Sequence, residues 1–265
     1  YPLAINIIEI LSLLALIATA VFLLRRNILK VKRFHKPELK GWPFMDANII
    51  LMGEIVLLIS IFMMNGADQY LQQVKPETYH STGVFYLSAS TTMQFFNHLA
   101  IDWIVYIERL FWWTHYLVVL GFIAYLPYSK HLHIFLAFPS SYYSDLSPRG
   151  ELQNIPYIQN EVKGMLGLQN DPNMEAPESF GAKDVHELSQ QTILQAFSCT
   201  ECGRCTAVCP ANITGKILSP RKIVMDIRDR AEELVRSNSF KVNEETHGIE
   251  ITDGSSLFDK ITKEE

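Results

Sequence analysis

The chain has 265 residues, 48% apolar and only 19% charged, with a mean hydropathy of +0.09 and a net charge of −5; ordinary soluble domains carry about 25% charged residues. The charge is unevenly spread, with 10 Lys+Arg against 9 Asp+Glu (net +1) in residues 1–145 and 13 against 19 (net −6) in residues 146–265. That split excludes a single soluble globule, a disordered chain and a basic nucleic-acid binder, and the crowding of four cysteines into residues 199–209 excludes a secreted disulfide framework.

The sequence opens on Tyr1 rather than Met, and apolar residues begin almost at once. This predicts that further sequence precedes it. Residues 4–24 form an apolar run with one charge, Glu9, long enough at about 1.5 Å per residue to cross a hydrocarbon core of roughly 30 Å. The run stops at Arg25-Arg26, and Lys30, Lys32, Arg33, Lys36 and Lys40 follow against a single Glu38. So basic a loop is expected on the cytoplasmic side. Residues 47–64 form the second expected span, with Glu54 inside it about 12 Å along the helix from Asp46. An acid at that depth is costly, and it predicts either a bond to a neighbouring helix or a proton or quinone role.

Gly66, Asp68, Lys75-Pro76-Glu77 and His80 are expected in an external loop. From Ser81 to Glu108 the apolar pattern is interrupted, which predicts amphipathic helices at the membrane interface. A fourth crossing there is the alternative, and it would reverse the side of the C-terminal half. The third expected span covers residues 111–135, with Trp112 and Trp113 at one interface, Lys130 at the other and Pro127 as a kink.

His115 and His133 stand 18 residues apart, about five helical turns, so a continuous helix would place both on one face about 27 Å apart. That separation cannot serve one metal but suits two haems b, one per imidazole; two interfacial histidines of structural use are the plainer alternative. His131 falls off that face and is expected at the interface. The stretch from His115 through Pro127 and His133 to Pro139 resembles the last helix of the respiratory nitrate reductase gamma subunit, whose fold holds two haems b. The resemblance implies His115 for an outer haem and His133 for an inner one. That family's partner histidines lie on an earlier helix, and no histidine occurs in residues 4–24 or 47–64. His80 and His98 are the substitutes on offer, both in the external segment. Either the helix bearing the partners lies outside this sequence, or the chain is a relative without haem.

Residues 141–182 read as a mostly irregular linker carrying Pro148, Pro156, Pro172 and Pro177, with a short helix expected at 160–166. A helix is expected from Asp184 to Phe197, with Val185, Leu188 and Leu194 on one side. Then comes Cys199-Thr-Glu-Cys202-Gly-Arg-Cys205-Thr-Ala-Val-Cys209-Pro210. This is the C-x₂-C-x₂-C-x₃-C-P run that wraps one [4Fe–4S] cubane. Structural zinc prefers two separated ligand pairs, which the run does not offer. In two-cluster folds the fourth cysteine serves the other cluster. Either all four thiolates hold one cubane, or Cys209 holds a second one completed by residues outside this sequence. Ser219 and Pro220 read as the N-cap and first position of a further helix, with Ile223, Ile227 and Leu234 at helical spacing. Lys216, Arg221 and Lys222 would dock an acidic donor or simply face solvent.

Residues 183–240 resemble the cysteine-rich domain of heterodisulfide reductase-related iron–sulfur proteins, with residues 241–265 a polar tail. Joined to a gamma-subunit-like membrane domain over residues 1–140, they resemble membrane iron–sulfur oxidoreductases, some of which pass electrons from electron-transfer flavoprotein to menaquinone. The expected fold is mainly α, a transmembrane helical bundle followed by a small helical ferredoxin-like domain. The expected function is electron transfer between a cytoplasmic donor and the quinone pool, through [4Fe–4S] and haem b, by a multi-pass protein of the cytoplasmic (inner) membrane working with other respiratory subunits. The alternatives are a haem-free anchor or assembly subunit, and the electron-input subunit of a heterodisulfide-type thiol reductase.

Overall fold

The computed structural model describes residues 1–148, 154–175, 181–242 and 249–261. Pro177 of the expected linker and residues 243–248 and 262–265 of the expected tail lie outside them. The chain is mainly helical and divides into two compact units, Tyr1–Leu132 and His133–Glu265.

Helix α1, Pro2–Asn27, contains the first apolar run. It ends where Arg25 and Arg26 supply cations to its last turn and Asn27 folds its amide back onto the Leu23 carbonyl at 3.1 Å. Helix α2 spans Trp42–Val74 and is longer at both ends than the expected 47–64. It opens with Pro43, whose missing N–H costs nothing in a first turn, and stops just short of the Lys75-Pro76 step. Gly66 and Asp68, expected in a loop, lie inside it. Their neighbours explain why. Asn65 donates to Glu9 of α1 at 2.9 Å, and Gln69 donates to the Gly83 carbonyl while accepting from the Phe85 N–H, at 2.9 and 3.2 Å. These polar side chains are partners for buried groups rather than a sign of solvent.

The expected interfacial helices are reduced to α3, Tyr86–Ser90, and one 3-10 turn, Met93–His98. Ser88 holds α3 to α1 by donating to Glu9 from both its N–H and its hydroxyl. Helix α4 covers Ile101–Tyr125, starting ten residues before the expected Phe111. Glu108 and Arg109, which delayed the expected start, pair with each other at 3.1 Å.

Beyond Tyr125 the expected continuous helix to Phe135 does not exist. The chain runs through 3-10 turns at Leu126–Tyr128 and Lys130–Leu132, separated by an extended Ser129, before α5, His133–Tyr142, begins in the second unit. Pro127 is the physical cause, since it has no N–H to donate and its ring collides with the carbonyl one turn earlier.

In the first unit, α2 packs against both α1 and α4. Three helices, Pro2–Asn27, Trp42–Val74 and Ile101–Tyr128, are long and apolar enough to cross a membrane. Many of the polar residues of α1 and α2 point inward: Glu9, Ser12, Thr19, Asp46, Ser60 and Asn65 are buried. Large apolar side chains such as Leu14, Phe22, Trp113 and Ile123 are exposed. This inside-out distribution suits helices whose solvent is lipid.

Two glycines permit the close approach. A Cβ on Gly53 would lie 2.6 Å from the Phe122 ring tip of α4, and one on Gly66 would lie 1.9 Å from Thr92 Oγ1 and 3.0 Å from the Met93 backbone nitrogen. Thr92 is itself pinned, its hydroxyl donating to the Phe62 carbonyl at 2.8 Å. Gly66→Val is therefore expected to destabilise the helical unit by about 1–3 kcal/mol through overpacking against backbone. Gly53→Ala, facing a ring that can rotate, is expected to cost less. Thermal unfolding of the detergent-solubilised chain checks the order.

The second unit contains α5, then α6 at Pro156–Met165, where the short linker helix was expected. The helix expected from Asp184 to Phe197 is two elements. Asp184 and Glu187 close a capping box around a 3-10 turn, Val185–Glu187, and Leu188 is extended. Ser189 then caps α7, Gln190–Phe197. Helices α8 (Arg204–Val208) and α9 (Pro210–Ile213) follow, then α10, Pro220–Ser237, with the expected Ser219 cap bonded to the Lys222 N–H.

The C-terminal stretch is more than a polar tail. Strands β1, Phe240–Val242, and β2, Ile249–Ile251, pair antiparallel with Phe240 opposite Ile251, and α11 covers Leu257–Lys260. Leu257 joins Val185, Ala196, Ile227 and Leu234 in the buried core, with Ile251 and Ile261 packed against it.

Candidate metal centre

The cysteine run begins where α7 stops. Cys199 donates its N–H to the Ala196 carbonyl at 3.3 Å, and the chain then reverses. Glu201 (φ +54°) and Gly203 (φ +70°) are both left-handed. Glycine takes that conformation freely; glutamate does not, so something must hold it. Its side chain is buried, and Arg228 of α10 meets its carboxylate at 2.8 Å. Burial alone would lower the Arg228 pKa, but Glu201 and Asp229 raise it above the ordinary arginine value.

The reversal aims the Glu201 N–H at the Cys199 sulfur, 3.4 Å away. Cys205 rides on α8, and Cys209 is at once the C-cap of α8 and the N-cap of α9, with Pro210 in the first position. Thr206 bonds the Ser219 hydroxyl at 3.1 Å and accepts the Arg221 N–H at 3.2 Å, which moors α8 to the start of α10.

Cys199, Cys202 and Cys209 are half-buried and Cys205 is exposed. Burial pushes the Cys199 thiol up; the Glu201 N–H pulls it down, and Glu201, Cys202 and Cys205 raise it again. Among the described residues, no three His, Cys, Asp or Glu side chains converge on a point that could hold a metal ion. A cubane asks for something different, one thiolate at each of several iron corners, with N–H groups directed at sulfur. A loop of soft thiolates with one such N–H already in place fits that group.

The docking cations divide. Arg221 is only 1% exposed, so it cannot meet a partner, contrary to the expectation. Lys222 is bonded to Asp226 at 2.6 Å, while Lys216 is exposed.

In the first unit, His115 Nδ1 lies 3.1 Å from the Ser60 hydroxyl and 3.3 Å from the Leu57 carbonyl, both on α2. Its Nε2 has no hydrogen-bond partner among the described residues, so the ring is oriented through Nδ1 alone. His133 opens α5 instead of continuing the helix of His115. The five-turn stripe is therefore absent, because Pro127 ends its helix. His80 and His98 are exposed in the connection before α4.

His131, expected at the interface, faces inward. Its Nε2 is 3.7 Å from Glu54 Oε1, and its ring sits edge-on to Phe122 with centroids 5.4 Å apart. The signal that could have found this pairing was Pro127, whose break re-aims every residue after it.

A family model described as a 4Fe-4S dicluster domain matches residues 164–214. The cysteine loop is part of a 4Fe-4S dicluster domain. Over 227 residues, 85% of the chain, the sequence is 28% identical to "Probable iron-sulfur-binding oxidoreductase FadF" of Bacillus subtilis, covering 28% of that protein. Over 220 residues, 81% of the chain, it is 30% identical to "EtfAB:quinone oxidoreductase" of Syntrophomonas wolfei, covering 27% of it. A shorter match, 36% over 64 residues, joins 24% of the chain to 9% of "Probable membrane-anchored ferredoxin" of Chromohalobacter salexigens. No solved structure matches. The chain thus spans just over a quarter of the length of the two relatives that it matches most extensively. Its similarity to iron–sulfur oxidoreductases runs through the helical unit as well as the dicluster domain.

Proposed function

We propose that the chain is a membrane electron-transfer module in which a [4Fe–4S] cluster held by Cys199, Cys202, Cys205 and Cys209 passes electrons between a cytoplasmic donor and quinone. The observation that carries this reading is the cysteine run on a sharply reversed loop, in one chain with three helices able to span a bilayer. The dicluster match and the similarity to an oxidoreductase named for EtfAB and quinone support it, with an electron-transfer flavoprotein as the donor. The cations of residues 25–40 favour a cytoplasmic position for the basic loop, and a cytoplasmic dicluster domain is the reading consistent with three crossings.

The finer part of the reading is haem. His115, its ring fixed by α2, would hold a haem b through Nε2, and the group would supply a one-electron carrier. His133 is the second candidate ligand. A haem-free anchor is favoured by a different observation, the helix break that removes the shared face of the two histidines.

One preparation tests both. The full chain is purified in detergent with its iron, reduced with dithionite, freed of excess reductant and mixed with a short-chain naphthoquinone. Reoxidation of the cluster with formation of the quinol is expected, and a reduced cluster that stays reduced overturns the quinone reading. The reduced visible spectrum decides the haem: a b-type α-band supports His115 as a ligand, and its absence selects the haem-free form.

A further inference from the structure

Glu54 is the most conspicuous group that the electron path leaves without a task. It lies near the middle of α2, about 12 Å along the axis from Asp46. Two other elements converge on it. Thr19 of α1 donates its hydroxyl to Oε2 at 3.2 Å, and His131, from the turn after α4, faces Oε1 at 3.7 Å. Gly53 next to it lets Phe122 of α4 approach, and the same ring braces His131. Glu9 of α1 is fully buried under Asn65 and Ser88. Glu54 differs, because its side chain is 35% exposed. An acid that is held by three elements and still open at bilayer depth is costly to keep and is functional by default.

The turn that carries His131 is itself anchored. The Lys130 N–H donates to Asp46 at 3.0 Å, and Tyr125 donates its hydroxyl to the same carboxylate at 2.5 Å. Asp46 lies at the end of the unit next to the basic loop, where Arg26 reaches the Phe44 carbonyl at 3.2 Å. Asp46 thus anchors the turn whose His131 faces Glu54. Among the described residues, His131 is the titratable group that faces Glu54 directly; α1 contributes the Thr19 hydroxyl, and the Phe122 ring of α4 lies against Gly53 and His131.

We propose that Glu54 is the proton donor for quinone reduction, with Thr19 and His131 as the side chains that position it. This rests on the quinone reading above. Reduction of a quinone to a quinol takes two electrons and two protons. A bound iron–sulfur cluster would supply the electrons in two successive one-electron reductions, and each quinone C=O becomes C–OH. For one of the two oxygens the Glu54 carboxyl O–H breaks as the quinol O–H forms, leaving a carboxylate. Water reaching the partly exposed carboxylate restores its proton. The second proton comes from the aqueous phase.

The test is single-turnover reoxidation of the reduced full-length chain by a short-chain naphthoquinone across a pH series, in wild type, Glu54→Gln, Glu54→Asp and Thr19→Val. Glu54→Gln keeps the shape and the hydrogen bond from Thr19 but has no proton to give. It is expected to slow quinol formation about a hundredfold, the low end of what a general acid contributes, while dithionite still reduces the cluster fully. Glu54→Asp is expected to restore much of the rate with a displaced pH profile, and Thr19→Val to move the profile without abolishing the rate. Wild-type rate and pH profile in Glu54→Gln overturn the assignment alone. Failure of the wild type to form quinol overturns it together with the quinone reading.

Discussion

Cys202→Ser is expected to strip the chain of its iron–sulfur chromophore and to abolish quinone reduction. The serine oxygen is a hard, weakly acidic ligand in place of a soft thiolate, and a cubane corner does not tolerate the exchange. The same substitution leaves the neighbouring geometry alone. Glu201 keeps its pairing with Arg228, and α8 keeps its mooring to Ser219. The helical unit should therefore remain folded in detergent, which circular dichroism checks while iron analysis and visible absorbance report the loss. Cys209→Ser carries more information. If the four thiolates serve one cubane, it behaves as Cys202→Ser does. If Cys209 serves a second cluster, Cys209→Ser leaves the first cluster's iron and absorbance in place.

Arg230→Ala is expected to destabilise the dicluster domain by about 3–5 kcal/mol, the cost of leaving a buried charge without its partner. The Arg230 side chain is 0% exposed. Its guanidinium forks onto Asp184 at 3.0–3.3 Å and onto Asp253 at 2.7 and 3.0 Å, and donates to the Ser255 carbonyl at 2.8 Å. One side chain of α10 thus ties the cap before α7 to the turn after β2. Asp184, only 3% exposed, would be stranded without it. Arg230→Lys keeps a charge but loses the planar fork and is expected to fall between the two. The two units need not unfold together, so the bleaching of cluster absorbance on heating is the probe of choice.

The same contact sets an acid limit. Arg230 holds the Asp253 carboxyl well below the usual carboxylate range, and Lys260 lowers Glu233 as well. A depressed carboxylate contributes stability above its unfolded pKa of about 3.9–4.3 and loses it as pH falls through the folded value. In Arg230→Ala the Asp253 share of this acid dependence is expected to shrink to what the Ser255 hydrogen bonds sustain.

Individual residues show what could be read in advance. The 20-odd apolar residues after Pro2, the Ser219-Pro220 start of α10 and the cysteine run follow from local rules, because hydrophobic length, capping and ligand spacing each act within a few residues. Glu54 was legible as an expensive acid, but its partners were not. The helix ends were harder to read. Gly66 and Asp68 looked like loop residues until Asn65 and Gln69 were placed against Glu9, Gly83 and Phe85. Arg221 looked like a docking cation, although α10 turns it inward.

The sequence by itself determined that a near-neutral apolar part precedes an acidic part with four clustered thiols, because composition and spacing need no neighbours to have meaning. Only the tertiary structure decided that Pro127 ends the helix rather than bending it, so that no single helix carries both His115 and His133, and that His131 turns towards Glu54. A side chain's direction depends on every backbone turn before it, so one break at a proline reassigns all the residues that follow.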